Sequence, residues 1–274
     1  MRRVHRKKKF VLFGLVLGLL PFAGIPLAHA DERLFTYSYE AEVLPKKRWE
    51  VEQWFTQRYG KQSGDFAAFD FREELEYGFL DKLTTALYLN FKSEYASHVG
   101  DSKETTNKFT FEGFSSEWKY QILNPNKDFI GLLAYFETTY SGEELELEEK
   151  IILQKNLGEK IVLVANIVSA EQWTFENDAS EKAFELEFTS GAAYKLNKNW
   201  SVGVEVRNNN LYPDYATPEQ TAWFVGPNVH YGNPRWWATL TVLPQVGGHP
   251  DTKDGFELEE HERIEVRLLA GINF

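Results

Sequence analysis

Cysteine is absent from the 274 residues of this chain, and basic residues are few relative to acidic ones. Without cysteine the protein has no disulfide framework and no thiol chemistry. The 41 acidic residues against 30 basic residues argue against a nucleic-acid partner, because nucleic acids are bound mainly through Lys and Arg side chains that neutralise phosphates. Long apolar runs are also missing after residue 30, so no later segment is predicted to be a membrane-spanning helix.

The first 30 residues have the three parts of a secretory signal peptide. A basic patch between Arg2 and Lys9 is followed by the apolar run Phe10 to Leu20 and by the small-residue cleavage site Ala28-His29-Ala30. The apolar run is shorter than the ~20 residues that a spanning helix needs. We therefore predict export and cleavage after Ala30. Removal of six basic residues and no acidic ones leaves 24 basic and 41 acidic residues, a net charge of −17.

The last eleven residues alternate between two kinds of side chain. Ile264, Val266, Leu268, Ala270, Ile272 and Phe274 share one parity, and Glu265, Arg267, Gly271 and Asn273 share the other. A period of two over this length predicts a β-strand, and ~9 to 11 residues suffice for a tilted strand to cross a bilayer. A terminal strand that ends on Phe resembles the carboxy-terminal signature of bacterial outer-membrane β-barrels. The resemblance implies a Gram-negative outer membrane, lipid and the barrel-insertion machinery as partners, and a membrane-insertion signal formed by Leu268, Ala270, Ile272 and Phe274.

Eleven earlier segments show the same alternation. They cover residues 48–59, 66–77, 83–92, 110–122, 129–140, 145–155, 161–175, 183–194, 200–207, 223–231 and 236–245. Tight turns follow the even-numbered segments, whereas the long polar loops 93–108, 208–222 and 246–263 follow odd-numbered ones. Trp and Tyr collect at both segment ends, as in the interfacial girdles of membrane barrels, and a soluble sandwich gives no reason for this. The pattern predicts an all-β chain, a transmembrane antiparallel up-and-down barrel of about 12 strands at 48–274, after a periplasmic lead-in at 31–47.

The polar parity of these strands is expected to face the lumen. It comprises thirteen acids and six bases: Glu50, Glu52, Arg58, Asp70, Arg72, Glu74, Glu76, Glu117, Lys119, Glu137, Glu146, Glu148, Lys150, Glu185, Glu187, Glu205, Arg207, Glu265 and Arg267. Carboxylates in such numbers must be wet, paired or partly protonated. One interpretation is a water-filled, cation-preferring pore, and the other is a lumen plugged by salt bridges. The start of the mature chain, residues 31–43, is either a periplasmic tail or a small plug.

The segment before the first strand carries a further resemblance. Leu44-Pro45-Lys46-Lys47-Arg48-Trp49 is similar to the strand-entry motif of outer-membrane transporter-like barrels, including those associated with aromatic-compound degradation. In those proteins Gly commonly follows Leu-Pro-Lys, and here Lys47 takes its place. The resemblance implies a porin or transporter-like neighbourhood and no particular substrate.

The sequence gives little support to an enzyme. The mature chain has four histidines, His98, His230, His249 and His261, and neither a Gly-x-Ser-x-Gly motif nor a phosphate loop. Acidic residues between His249 and His261 could hold a divalent cation, but a solvated charged loop is the favoured interpretation. We predict no catalytic residue, no metal site and no cofactor. The expected function is a porin or transporter-like barrel for small solutes; the alternatives are a plugged surface-binding barrel and, more remotely, an outer-membrane hydrolase.

Overall fold

The computed structural model describes residues 32–100, 102, 104–176, 179–213, 215 and 217–274; the predicted signal peptide lies outside these described residues. Twelve strands form one closed antiparallel barrel in which each strand pairs with its neighbours in sequence and β1 pairs with β12. Their bounds are β1 Trp49–Tyr59, β2 Asp65–Leu80, β3 Leu83–Ser97, β4 Thr105–Leu123, β5 Gly131–Tyr140, β6 Glu144–Leu157, β7 Ile161–Glu176, β8 Ala179–Lys195, β9 Trp200–Tyr212, β10 Gln220–Asn233, β11 Trp236–His249 and β12 Ile264–Asn273.

The seam between the first and last strands closes the sheet. Glu50 lies opposite Asn273 at one end of the barrel, and Tyr59 lies opposite Ile264 at the other. The end that carries the short turns and the Asn273 seam is called periplasmic here, and the opposite end external. The predicted fold class and strand number are confirmed. Within the described ranges, no helix has the length and apolar character needed to cross a membrane.

The outer surface of the barrel is apolar. Leu87, Ile151 and Ile167 expose 61%, 49% and 51% of their surface, which only a lipid environment makes favourable for a continuous band. Trp200 packs against Tyr231 at the periplasmic end, with ring centroids 4.9 Å apart, as part of a ring of interfacial aromatics. These features support the outer-membrane location that the sequence predicts.

The strands extend further than the sequence pattern predicts. The predicted loop 93–108 is largely strand, because β3 and β4 continue to Ser97 and from Thr105, and the loop 208–222 shortens to residues 213–219. Polar residues beyond the membrane lose the apolar alternation without leaving the sheet. The irregular fourth strand has a bulge at Gly113, where φ is +110° and a Cβ atom would lie 2.4 Å from the Tyr140 carbonyl oxygen.

Residues 32–44 lie inside the barrel and are called the plug. The plug starts beside Gly232 near the end of β10, where Glu32 Oε2 lies 3.5 Å from His230 Nε2. It crosses the lumen and returns to the periplasmic end, where the N–H of Lys47 donates to the Gly78 carbonyl near the end of β2. Residues 33–41 are all buried. Of the two alternatives for the lead-in, the structure has the inward-folded one.

Candidate functional site

A single buried carboxylate holds the middle of the plug. Glu205 on β9 is fully buried and accepts hydrogen bonds from the backbone N–H groups of Thr36, Tyr37 and Ser38, at 2.9, 2.8 and 2.9 Å. The hydroxyl of Thr241 on β11 donates to the same carboxylate at 2.6 Å. Charge-assisted hydrogen bonds of this kind are stronger than neutral ones, so Glu205 attaches the plug firmly to the wall.

Side-chain amides of the wall hold the second half of the plug. Asn166 on β7 accepts from the N–H of Tyr39 at 2.6 Å and donates to its carbonyl at 3.1 Å. The N–H of Ala41 donates to Gln154 Oε1 on β6, and its carbonyl accepts from Gln121 Nε2 on β4, both at 2.8 Å. The wall therefore satisfies both backbone groups of two alternate plug residues.

Hydrogen bonds from the wall also fix the two ends of the plug. Asn228 Nδ2 on β10 donates to the carbonyl of Leu34 at 2.5 Å, and the Thr239 hydroxyl donates to that of Arg33. At the other end, the N–H of Leu44 donates to the Thr84 hydroxyl on β3 at 2.9 Å. His230, the one lumen histidine noted in the sequence, is buried and bonded to Thr239, which is the environment of a structural residue.

One glycine of the wall makes room for an aromatic ring of the plug. Phe35 is fully buried in a cluster that includes Val162 and Val164 of β7 and Ala193 of β8. A Cβ atom added to Gly191 would lie 2.5 to 3.0 Å from three atoms of the Phe35 ring. Gly191 therefore forms a notch that only glycine provides.

Five buried glutamates lie in the periplasmic half of the lumen, on β1, β2 and β4. The indole N–H of Trp54 donates to Glu52 at 2.9 Å and to Glu74 at 3.1 Å. Lys119 Nζ lies 2.5 Å from Glu76 Oε1 and 3.4 Å from Glu117 Oε1. The Trp237 indole donates to Glu50, and the Tyr88 hydroxyl donates to Glu117. The five are Glu50, Glu52, Glu74, Glu76 and Glu117, each at most 3% exposed.

These glutamates are close enough to share a cation. Carboxylate oxygens of Glu50, Glu52 and Glu76 lie within 4.8 Å of one another, and the same holds for Glu74, Glu76 and Glu117. In the structure their partners are the indole N–H groups of Trp54 and Trp237, the Tyr88 hydroxyl and the Lys119 ammonium group. The Arg33 guanidinium of the plug lies 3.9 Å from the Tyr39 ring centre, beside the same cluster. Burial of so many carboxylates therefore relies on close partners, as it must in a dry interior.

The external half of the lumen is an open vestibule. It contains two adjoining cavities of 430 and 470 Å³, which share Arg58, Lys92, Glu185 and Arg207 in their walls. Tyr37 and Tyr39 at the top of the plug, with Trp54 of the wall, form its floor. The plug therefore lines the periplasmic side of the vestibule.

The vestibule wall carries both basic and acidic side chains. Arginines project from β9, β12, β1 and β2, whereas glutamates project from β6 and from β8, which is the neighbour of β9. The acidic set is Glu144, Glu146, Glu148, Glu185 and Glu187, and the basic set is Arg58, Arg72, Arg207 and Arg267.

Ion pairs neutralise part of this charge. Arg207 lies 2.6 Å from Glu187 and 2.9 Å from Glu265, and Arg58 lies 2.6 Å from Asp70. Among the described residues, Glu146 has no basic group within 4.0 Å.

The loop between β11 and β12, residues 250–263, folds over the external mouth. Glu257 is fully buried and its carboxylate accepts from the N–H groups of Glu259, Glu260 and His261 at 2.9, 3.3 and 3.0 Å. Burial lowers the pKa of His261 to about 4. The favoured interpretation of a solvated loop is wrong for Glu257 and Leu258, which are both buried, and the Glu257 carboxylate organises its own loop.

The structure places all nineteen residues expected in the lumen on its inner side, but in two environments. Glu50, Glu52, Glu74, Glu76, Glu117, Lys119 and Glu205 lie in the dry periplasmic half; Arg58, Asp70, Arg72, Glu137, Glu146, Glu148, Lys150, Glu185, Glu187, Arg207, Glu265 and Arg267 lie at or around the vestibule. Sequence reasoning missed the apolar and amide groups among them, chiefly Trp54, Asn166, Gln154 and Leu269. Trp54 carried a signal, since an aromatic residue interrupts the polar parity between Glu52 and Thr56.

The barrel with its polar lumen has the fold of bacterial outer-membrane porins. The NanC porin structure aligns with 82% of this chain and 98% of its own at a TM-score of 0.53 and 11% identity. The KdgM porin aligns with 82% and 99% at a TM-score of 0.49 and 9% identity. At these identities the likeness concerns the fold. The chain belongs to a family of unknown function, DUF6662, which matches residues 27–274. Comparison with curated protein sequences gives no match.

Proposed function

We propose that this protein is a porin-like outer-membrane channel that its own plug closes at rest and that passes small, preferentially cationic solutes when the plug leaves. The observation that carries the proposal is the division of the lumen into an open vestibule and a periplasmic half filled by residues 32–44. An open diffusion pore does not need a filled periplasmic half, and a barrel without transport does not need an open vestibule.

The attachment of the plug is compatible with release. Most of its backbone is held by single polar side chains such as Glu205, Asn166 and Gln154, whose hydrogen bonds water can replace. Each such exchange changes the free energy by about 0.5–1.5 kcal/mol at the neutral amides of Asn166 and Gln154, and by about 1.5–3 kcal/mol for a hydrogen bond to the charged Glu205. Among the described residues, plug and wall are joined covalently only through residues 45–48, which lead into β1, and both ends of the plug lie at the periplasmic end, so it can withdraw into the periplasm.

The charge of the emptied lumen supports a preference for cations. Withdrawal of the plug removes Arg33 and uncovers the five-glutamate cluster and Glu205, with Lys119 as the basic residue among them. Rings of carboxylates along a wet passage attract cations and repel anions. Glu187 on the wall of the vestibule acts in the same sense.

A disulfide lock tests whether plug withdrawal opens the channel. A Cβ atom at Gly131 would lie 3.0 Å from the Ala41 Cβ, close to the roughly 3.5–4.5 Å that a disulfide needs. Since the chain has no cysteine, the pair Ala41→Cys with Gly131→Cys supplies its only thiols. In planar bilayers we expect no single-channel steps from the oxidised protein, and steps of wild-type size after reduction.

Two single-cysteine variants are the matched controls. Gly131→Cys alone also reports any effect of crowding Pro125, whose Cβ would lie 2.8 Å from the new Cβ. Slower migration in gels after boiling verifies that each barrel is closed. Equal conductance of the oxidised and reduced pair would overturn the gating role of the plug, and wild-type protein that never conducts would favour the non-conducting surface-binding barrel.

Selectivity is tested at one buried and one vestibule glutamate. Glu74→Gln and Glu187→Gln each remove one carboxylate, and we expect each to lower the cation-to-anion permeability ratio of open channels by about twofold. Glu74 is buried while the plug is in place, so its effect is expected in open channels alone, whereas Glu187 also changes cation accumulation in the closed vestibule. Unchanged reversal potentials in both variants would contradict the cation preference.

A further inference from the structure

Polar side chains of the wall bond the backbone of the plug at Tyr39 and Ala41. Asn166 bonds both backbone groups of Tyr39, and Gln154 with Gln121 bonds both of Ala41. In contrast, the buried Ser38 Oγ and Tyr39 OH have no hydrogen-bond partner in the part of the chain that the structure describes. Buried polar atoms without partners are destabilising, so the wall does not recognise these two hydroxyl groups, although the Tyr39 ring packs against Tyr135 with the ring centroids 5.3 Å apart.

The spacing of the wall groups fits an extended chain. The doubly bonded residues Tyr39 and Ala41 are two apart, which is the repeat at which an extended backbone presents N–H and C=O to the same side. The groups that bind them come from three strands, β7, β6 and β4, and form a row across the wall. Such recognition depends on peptide groups and tolerates changes of side chain.

The plug leaves part of this row unused. Asn228 donates to the Leu34 carbonyl, but its Oδ1 is buried without a hydrogen-bond partner among the described residues. The Leu34 N–H could donate to an acceptor at this position, but it donates instead to Glu40 Oε1 of the plug itself, at 2.6 Å. A regularly extended ligand has no such internal bond and can offer its N–H to the wall.

We infer that the inner wall of the periplasmic half is a binding track for an extended polypeptide backbone, which the plug fills in the resting protein and which short peptides fill once the plug has left. The inference rests on the proposed withdrawal of the plug and adds a solute class to it. The track is formed by Asn166, Gln154, Gln121 and Asn228.

The test uses the full chain with the plug displaced by a change that the peptide does not meet. Gly191→Ala crowds the Phe35 ring, so a labelled peptide that starts at Thr36 and ends at Leu44 avoids the altered notch. Binding is measured by fluorescence anisotropy in detergent micelles, and chymotrypsin sensitivity of the plug verifies its release. Gly191→Leu, which fills the place of the ring, replaces Gly191→Ala if the plug is still protected.

Three variants of the peptide separate backbone from side-chain recognition. N-methylation at the positions of Tyr39 and Ala41 removes the N–H groups that Asn166 and Gln154 accept, and we expect at least about tenfold weaker binding. N-methylation at Val43 is the matched control. A peptide with Ser at positions 36 and 40 keeps every N–H and the buried Tyr39 ring, and is expected to bind within about threefold.

Loss of binding on the serine replacement with no loss on N-methylation would overturn the inference, as would absence of binding to protein whose plug is released. In the protein, Asn166→Leu is expected to weaken the unmodified peptide about tenfold while leaving the heat-modifiable barrel intact. Anisotropy measures peptide binding and does not depend on conductance, so the two proposals can fail separately. Peptide binding without gated conductance would contradict the proposed channel alone, and gated conductance without peptide binding would contradict the binding track alone.

Discussion

The two halves of the lumen accommodate their acidic side chains in different ways. Both present acidic residues at every second position of their strands, as Glu74 and Glu76 do on β2 and Glu185 and Glu187 on β8. In the periplasmic half the plug and the wall exclude water; each carboxylate of the five-glutamate cluster is met by an indole, a phenol or an ammonium group, and that of Glu205 by backbone N–H groups. In the external half the carboxylates face a cavity and pair with arginines that are themselves partly exposed.

The difference teaches that the plug, and not the strand pattern, decides what a lumen glutamate does. Loss of one partner of a buried charge costs about 3–5 kcal/mol, whereas exposed ion pairs contribute about 0–1 kcal/mol and are screened by salt. The periplasmic half is therefore sensitive to single changes, and the vestibule tolerates them. The three predictions that follow challenge this contrast, starting with the largest expected effect.

Glu205→Gln is expected to release the plug. The amide has no charge and presents an NH₂ group to donors, so it cannot accept from Thr36, Tyr37 and Ser38 together, and we expect a loss of about 2–4 kcal/mol in plug attachment. This corresponds to at least about 30-fold faster chymotrypsin cleavage at Phe35, Tyr37 or Tyr39, measured on folded protein by mass spectrometry of the fragments.

Glu187→Gln is the matched control in the vestibule. Arg207 keeps Glu265 as its partner there, so the cleavage rate of the plug is expected to stay within about twofold of the wild-type rate. If both variants released the plug equally, the contrast between the dry and the wet half would be wrong.

Gly191→Ala is expected to loosen the plug by less. The added methyl group would lie 2.5 Å from the Phe35 ring, and overpacking of this kind costs about 1–3 kcal/mol, or roughly fivefold faster cleavage at its lower limit. Gly247→Ala adds the same group where the nearest atom is 3.9 Å away and should leave the rate unchanged. A plug that is equally protected in both alanine variants would show that the notch is not required.

The smallest effect concerns pH at the external mouth. Burial lowers the pKa of His261 from 6.5 to about 4, so the folded loop holds the neutral form while the open loop takes up a proton. The stabilisation is present above pH 6.5 and is lost as the pH falls toward 4. Burial raises the pKa of Glu262, which acts in the opposite sense. An imidazole titration by NMR with a midpoint near 6.5 would contradict the burial. His261→Gln should remove the loss of stability between pH 6.5 and 4 and leave the contribution of Glu262.

Much of the fold was open to prediction from the sequence, because lipid on one side and polar groups on the other force a period of two on each strand. The alternation from Ile264 to Phe274 gave the correct strand and the correct outward side, with Leu268 exposed and Glu265 buried. The extension of β3 and β4 above the membrane was not predictable in this way, since neither side of Thr105 to Lys108 is required to be apolar there.

The plug shows where sequence reasoning ended. Tyr37, Tyr39 and Ala41 form too short a run to distinguish a tail from an inserted segment, and the partners that fix them, Asn166 and Gln154, are ordinary polar positions until the plug is present. Leu269 interrupts the polar parity of β12 because it packs in the cluster that includes Tyr39 and Ala41. Such exceptions follow from three-dimensional neighbours more than 100 residues apart in sequence.

The course of the plug also bears on how the protein assembles. Its two ends lie at the same mouth of the barrel, beside Gly232 and Gly78, so the segment enters as a loop and passes through no ring. Chain entanglement is therefore absent from this part of the molecule, and closure of the seam between β1 and β12 can precede or follow insertion of the loop. A barrel that closes first is complete before its interior is filled, and the order of the two events is set by their rates alone.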